Sequence, residues 1–446
     1  MSVPSEPASR REIRAWALYD FANSAFATTI LAVIFQRYLT GTGDKGLGAP
    51  DSVWGYAVSA ATILSAVMLP VLGAVCDYTA SKKKWMLRFW LLGVAGSTAL
   101  FIPVTWPAAV AIFMLALIGF EASTAIYNGF LPEIAPGAES TRVSSFGWAF
   151  GYLGGGLHLV VTLVLFTWPH WFGLKGMGPA LAALGSVGIW WFIFAIPTFR
   201  ILRERAVPRP VPEGMTLVGA GFRKVAKTVA NIRRYPTLAK FTIAYLLFSD
   251  AIQTVIVMSS LFGLKVLGIS DREMILCFLM IQFVAAAGAF GLGRLARVIG
   301  DKRTLAAGLA VWIAVVIWGA LVRSRWEFWA LGAVVALVMG GTQAIARSLL
   351  SKFTPPSSAA EFFGFYSIVG KFASALGPAM YSVVMDLSRS RGASEGGSFR
   401  IASLSVGIFF IAGLVILLRV NESRGVAEAE AEERRLTAGA EGNQVQ

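Results

Sequence analysis

Apolar runs of membrane length, separated by short polar stretches, fill most of this chain. A helix rising 1.5 Å per residue needs roughly 20 mainly apolar residues to cross the hydrocarbon core. By that measure the pattern predicts twelve spans, over 15–39, 53–76, 85–104, 107–131, 143–167, 178–198, 239–264, 273–293, 304–322, 327–347, 361–384 and 400–419. The uncharged run from Phe89 to Phe120 is too long for one crossing, and Pro103 and Pro107 divide it into two. One long stretch, 199–238, has no such run. It carries Arg200, Arg203, Arg205, Arg209, Arg223, Lys224, Lys227, Arg233 and Arg234 against Glu204 and Glu213. The organisation expected is an N-terminal six-helix bundle over 1–198, a basic linker over 199–238, a C-terminal six-helix bundle over 239–420 and a polar, acidic tail over 421–446.

Composition agrees with a bilayer as solvent. Of 446 residues, 56% are hydrophobic and 14% charged, where a soluble domain has about 25% charged. The net charge of +14 does not point to nucleic acid, because the cations sit in short segments between apolar runs. Their distribution sets orientation instead. Arg10, Arg11 and Arg14, Lys82, Lys83, Lys84 and Arg88, the central linker, and Arg294, Arg297, Lys302 and Arg303 all fall on one side. With an even number of spans, both termini are expected in the cytoplasm. Within the linker, Phe222, Val225, Val229 and Ile232 recur at helical spacing among Arg and Lys, which predicts an amphipathic helix on an anionic leaflet; a solvated linker is the alternative. The Glu-rich tail is expected to be disordered, with room for a short helix. Cys76 and Cys277 lie in apolar runs and read as small buried hydrophobes rather than a disulfide or metal site.

The two halves resemble each other. Gly73 to Lys82 and Gly293 to Lys302 stand 220 residues apart at matching places between spans. Ala125-Ile126, Pro136, Phe146 and Gly151 correspond to Ala344-Ile345, Pro355, Phe365 and Gly370 at an offset of 219. This predicts two pseudo-symmetric bundles in parallel orientation, an arrangement in which carriers bind substrate between repeats and rock one against the other.

Gly73-x-x-x-Asp77-x-x-x-x-Lys82, followed by Lys83 and Lys84, resembles the loop between the second and third helices of the major facilitator superfamily. Trp16-Ala-Leu-Tyr-Asp20-Phe-Ala-Asn23-Ser-Ala-Phe26, Tyr127-Asn128-Gly-Phe-Leu-Pro132-Glu133-Ile with Phe146-Gly147-Trp148-Ala-Phe-Gly151-Tyr-Leu-Gly154-Gly155, and Glu361-Phe-Phe-Gly364-Phe-Tyr366 are similar to the branch of autophagy-related vacuolar amino-acid effluxers and their bacterial relatives. The resemblance covers the whole membrane region. It implies the major facilitator fold and secondary transport. It also implies a gating role for Gly73, Asp77 and Lys82, with Gly73 letting the second helix approach the eleventh and Asp77 with Lys82 holding the cytoplasmic ends together. The second copy departs from the motif, with Arg297 where Asp77 stands in the first.

Ionisable groups at membrane depth are costly unless paired or wetted, so each is a candidate. Glu121, Asp250 and Lys371 lie roughly 15 Å from the inner face at 1.5 Å per residue. Asp20 is shallower, with Asn23 one turn on, and Asp250 and Gln253 repeat that spacing in the seventh span. Asp20, Asn23, Asp250, Gln253 and Lys371 are the candidate substrate ligands, and Glu121 and Asp250 the candidate proton carriers. Each has a bland reading beside it. Asp20 caps the inner end of the first helix; Asp250 neutralises Lys371; Glu121 pairs with an unidentified base. Arg347 reads as a cytoplasmic gate or a positive-inside anchor before a ligand. His158 reads as a hydrogen-bonded helix residue, and Gly147, Gly151, Gly154, Gly155 and Gly156 as either close packing or a hinge.

The sequence holds no phosphate-binding Gly-rich loop with Lys-Ser/Thr, no His/Cys cluster and no nucleophile elbow, so neither ATP use, a metal, a cofactor nor an enzyme is expected. The expectation is a monomeric, proton-coupled secondary transporter of a small polar organic solute, such as an amino acid, working by alternating access in the lipid bilayer. Short loops suit a bacterial inner membrane, or a vacuolar membrane in a eukaryote. A membrane receptor or scaffold on the same fold, with linker and tail as docking sites, is the alternative.

Overall fold

A computed structural model describes residues 8–43, 46–135, 139–205, 235–354 and 374–442, with isolated positions between. Among the described residues there is no strand. Thirteen long helices follow one another: α1 (Arg10–Thr40), α2 (Ser52–Thr79), α3 (Lys82–Ala99), α4 (Trp106–Asn128), α5 (Glu139–Thr167), α6 (Gly178–Ile201), α7 (Pro236–Leu267), α8 (Asp271–Ile299), α9 (Asp301–Leu321), α10 (Arg325–Lys352), α11 (Leu376–Ser390), α12 (Glu395–Leu418) and α13 (Glu422–Gly442). Nine helices among the described residues are long and apolar enough to cross a membrane. The break expected at Pro103 separates α3 from α4. Pro197 does not end α6, which runs four residues further to Ile201. The linker positions proposed for an amphipathic helix, 222–232, lie almost entirely outside the described residues.

The pattern did not foretell the middle of α1. Residues Phe26–Ile34 wind as a π-helix between α-helical ends, Arg10–Ala25 and Phe35–Thr40. Wide turns of this kind within α-helices are frequent at functional sites.

The chain divides into two compact units: residues 1–222 with 257–279, and residues 223–256 with 280–446. In the first unit α1 packs along α5 and α6, α3 along α4 and α6, and α2 along α4. Small residues permit the approach. A Cβ on Gly119 would stand 2.4 Å from the backbone nitrogen of Gly93, and one on Gly154 2.0 Å from the Phe21 carbonyl oxygen. Trp16, Trp54 and Trp191 are fully buried there. The beginning of the basic linker is tied down by acids. Glu12 accepts both guanidinium nitrogens of Arg205, at 2.7 and 2.8 Å, and the Arg203 amide at 3.0 Å. Glu204 accepts the first two amides of α3, from Lys82 and Lys83, so a carboxylate sits at the positive end of that helix.

In the second unit α9 lies between α10 and α12, and α11 packs on α12. The tail departs from its expectation: α13 is a 21-residue helix and it is docked. A Cβ on Gly425 would meet the Phe353 ring at 2.6 Å, and Ala429 is buried. Glu428 accepts the Thr237 amide at the start of α7 at 3.1 Å. Lys352 bridges Asp301 at 2.9 Å and Glu422 at 3.4 Å. The tail folds because its small and acidic positions fall on one face and meet the N-terminus of α7 and a lysine there. The hydrogen bond that Lys352 donates to Asp301 raises the lysine pKa. That contribution is complete below the lysine value of 10.5 and is lost as pH climbs through the higher folded-state value.

Candidate functional site

In the first unit, Asp20 lies in a slot between α1, α4 and α5. The Tyr127 hydroxyl donates to its Oδ2 at 3.0 Å. Tyr127 is in turn fixed between the rings of Trp16 and Tyr19, with centroids 4.5 and 4.8 Å away. Trp16 Nε1 donates to the Tyr127 carbonyl at 3.3 Å. Gly147 and Gly151 form the α5 wall, where added Cβ atoms would stand 2.8 Å from Asp20 Oδ2 and 2.8 Å from Ser24 Oγ. One turn along α1, buried Asn23 donates from Nδ2 to Thr124 Oγ1 at 3.2 Å. Glu121 is one turn before Thr124 on α4 and only 6% exposed. Its neighbour Phe120 stacks on Phe26, the first residue of the π-helical turn, at 4.7 Å. Asp20 and Asn23 on α1 therefore face Tyr127 and Thr124 on α4, the helix that also carries Glu121.

His158 belongs to the next layer. Its Nδ1 lies 2.8 Å from Thr29 Oγ1 within the π-helical turn, and its Nε2 lies 3.2 Å from Ser186 Oγ on α6. Both ring nitrogens are occupied, as expected of a helix-bridging residue. Thr28 Oγ1 donates to the Ser24 carbonyl and reaches the Gly155 carbonyl at 3.5 Å. The Gly-rich face of α5 thus meets α1 just where α1 widens.

In the second unit, Asp250 on α7 is 2% exposed. Its Oδ1 has no hydrogen-bond partner among the described residues. The backbone of Gly377 on α11 faces the carboxylate and donates to it. A Cβ on Gly377 would stand 2.9 and 3.0 Å from the two carboxylate oxygens and within 2 Å of Thr254 Oγ1, so only glycine admits the acid there. Gln253 corrects the expected symmetry. It is exposed, whereas Asn23 is buried and bonded, so the two acid-x-x-amide pairs do not have like surroundings. The offset of the repeat does not relate these pairs, and helical spacing alone does not fix which way α7 is turned.

Other candidates stand as follows. Lys371 lies outside the described residues, and so do the side chains of Asp77 and Arg347, although their backbones are helical. Lys82 Nζ lies 3.4 Å from the Gly129 carbonyl, and its amide is held by Glu204. Gly73 is exposed, and no described residue comes within 4 Å of where its Cβ would stand; most of the eleventh span it is expected to approach lies outside the described residues. Glu12 and Glu204 were missed, and the signal for them was available. They are acids in arginine-rich stretches, where an acid has cations to hold.

Among known proteins, the family described as vacuole effluxer Atg22 like matches residues 8–430. The chain is 30% identical over 419 residues to the MFS-type transporter YxiO of Bacillus subtilis, covering 92% of this chain and 95% of that protein. It is 28% identical over 317 residues to autophagy-related protein 22-1 of Neosartorya fischeri, covering 66% of this chain and 50% of that protein. The match thus spans about half the length of that fungal relative. In fold the chain is similar to a nucleoside transporter NupG, with a TM-score of 0.69 at 13% identity, over 92% of this chain and 98% of that one. It is also similar to a bacterial homologue of the human lysosomal transporter Spinster, with a TM-score of 0.66 at 14% identity, over 94% and 97%.

Proposed function

Since this chain belongs to the vacuole effluxer Atg22-like family of major facilitator transporters, we propose that it moves a small polar organic solute, an amino acid in the first instance, by proton-coupled alternating access. The coarser statement needs no proposal: it is a multi-pass membrane transporter of a small molecule and not an enzyme. The observation that carries the finer one is a pair of acids buried within spanning helices, Glu121 at 6% exposure and Asp250 at 2%. An intramembrane carboxylate is costly when charged, so it favours taking up a proton unless a cation or water reaches it. Asp250, with Oδ1 unengaged among the described residues and Gly377 packed against the carboxylate, has the geometry of a group that exchanges a proton. Glu121, buried on α4, is the second candidate proton carrier. Asp20 and Asn23, facing the helix that carries Glu121, are the polar groups offered to the solute, with Lys371 and Gln253 their counterparts from the second half. Asp77, Lys82 and Arg347 serve the cytoplasmic gate.

Both termini and the basic linker face the cytoplasm in this reading, and the membrane is a bacterial inner membrane. The family's description as effluxers supports outward movement of solute against inward movement of protons. Reconstituted protein tests it, with a panel of labelled amino acids and an imposed pH gradient. The gradient is expected to drive uptake, and Glu121→Gln and Asp250→Asn to abolish that drive. Transport indifferent to the gradient and unchanged in both variants removes the coupling. Transport of none of the panel removes the amino-acid reading while leaving the transporter standing.

A further inference from the structure

The first compact unit includes residues 257–279, the last turns of α7, the loop to α8 and the first turns of α8. The repeat assigns those residues to the second half of the chain. A set of polar bonds holds them where they are. Arg37, in the last turn of α1, is 5% exposed. Its Nε donates to Asp271 Oδ1 at 2.6 Å, one terminal nitrogen to the Ile269 carbonyl at 2.6 Å and the other to the Ser260 carbonyl at 3.3 Å. Lys265 meets Asp51, before α2, at 3.0 Å. Trp54 Nε1 donates to the Val257 carbonyl at 3.1 Å, and Ser260 Oγ to the Val33 carbonyl at 3.0 Å. Arg272 donates to the Phe166 and Thr167 carbonyls at the end of α5.

We propose that Arg37, Asp271 and the 269–271 loop form a releasable latch that seals the end of the carrier opposite its termini. Three features separate a latch from ordinary core. The bonds join segments more than 220 residues apart in the chain, from the two halves that a rocking carrier must part. They are made by charges and backbone carbonyls, groups whose hydrogen bonds water can take over when the segments part. Asp271 is 42% exposed while Arg37 is buried, so water already reaches one partner. Arg37 is also an exception to the charge pattern, a cation on the side poor in them. A buried guanidinium is tolerable only with its acceptors in place, so loss of Asp271 leaves it poorly compensated and favours the open state.

The test uses purified full-length protein in nanodiscs, independent of any substrate. Cys76 and Cys277 are first replaced by Ala. Ile269→Cys, at a side chain 1% exposed, reports the latched end through labelling by a bulky water-soluble maleimide. Gly73→Cys, at an exposed position near the other end of α2, reports the opposite end. Asp271→Asn is expected to speed labelling at 269 about tenfold or more, the scale of one hydrogen bond to a charged group, and to slow labelling at 73. Arg37→Gln combined with Asp271→Asn is expected to add little to the faster single variant. Labelling at 269 within about twofold of the parent, with the protein monodisperse, overturns the latch. Faster labelling at 269 with no change at 73 makes the contact a static seal, and that overturns it too. Should Asp271→Asn not fold, Lys265→Gln with Asp51→Asn carries the same pair of readouts.

Discussion

Two glycines on one helix are expected to respond to alanine with opposite sign. At Gly154 an added Cβ would lie 2.0 Å from the Phe21 carbonyl oxygen and 2.7 Å from its carbonyl carbon and Cα. Ordinary contact begins near 3.4 Å, so α1 and α5 must part by about 1.4 Å, the difference between 3.4 and 2.0. The obstructing atoms are backbone in a hydrogen-bonded helix and cannot rotate aside. Overpacking of this kind costs about 1–3 kcal/mol, and the parting also loosens Asp20 and Ser24 against Gly147 and Gly151. Against it stands the helix preference of alanine over glycine, about 0.5–1 kcal/mol. The net expectation for Gly154→Ala is a loss of about 1–2 kcal/mol. At Gly156 the nearest atom is Leu279 Cδ1 at 4.0 Å, a flexible methyl, so Gly156→Ala keeps only the gain. Thermal unfolding in detergent, followed by size-exclusion fluorescence or intrinsic tryptophan emission, ranks the two against the parent. The expected order of Tm is Gly156→Ala at or above the parent, and Gly154→Ala below it. A Gly154→Ala variant as stable as Gly156→Ala would refute the reading of α5 as packed backbone-to-backbone on α1.

Two further outcomes follow from bonds that cross between elements. Removing residues 422–446 uncovers Phe353 and takes away Glu428 from the start of α7 and Glu422 from Lys352; the truncated protein is expected to melt lower, and Glu428→Gln to reproduce a part of the loss worth about 0.5–1 kcal/mol. Unchanged melting on truncation would mean that α13 is not docked in solution. Tyr127→Phe removes the donor to Asp20 Oδ2 and is expected to cost about 1 kcal/mol in the same unfolding assay, with Asp20→Asn costing less when combined with it than alone. Simple additivity of the two would show that the hydroxyl and the carboxylate do not interact.

Hydropathy alone placed the nine spanning helices found among the described residues, because the need to bury backbone polar groups inside a bilayer is a local property that each apolar run satisfies for itself. The Gly and Pro positions placed most of the breaks, although Pro197 lies within α6. The acids at Glu121, Asp20 and Asp250 were also legible as exceptions to an apolar background. Less of their surroundings was legible. Helical spacing made Asn23 and Gln253 equivalent, and the structure buries one against Thr124 and exposes the other. Composition made the tail a disordered acidic segment, and the structure gives its acids the N-terminus of α7 and a lysine to hold.

What the sequence by itself determined was a membrane chain of repeated helical halves with a basic middle, and the family to which it belongs. What only the tertiary structure decided was partnership: Arg37 with Asp271, Glu12 with Arg205, Tyr127 with Asp20, Glu428 with the start of α7. These bonds close over 107 to 234 residues of chain. They depend on how far each helix is rotated about its axis and slid along its neighbour, and small residues such as Gly154 and Gly377 set that by how closely they let backbones approach. Hydrophobic periodicity says which face of a helix is buried; it does not say against what.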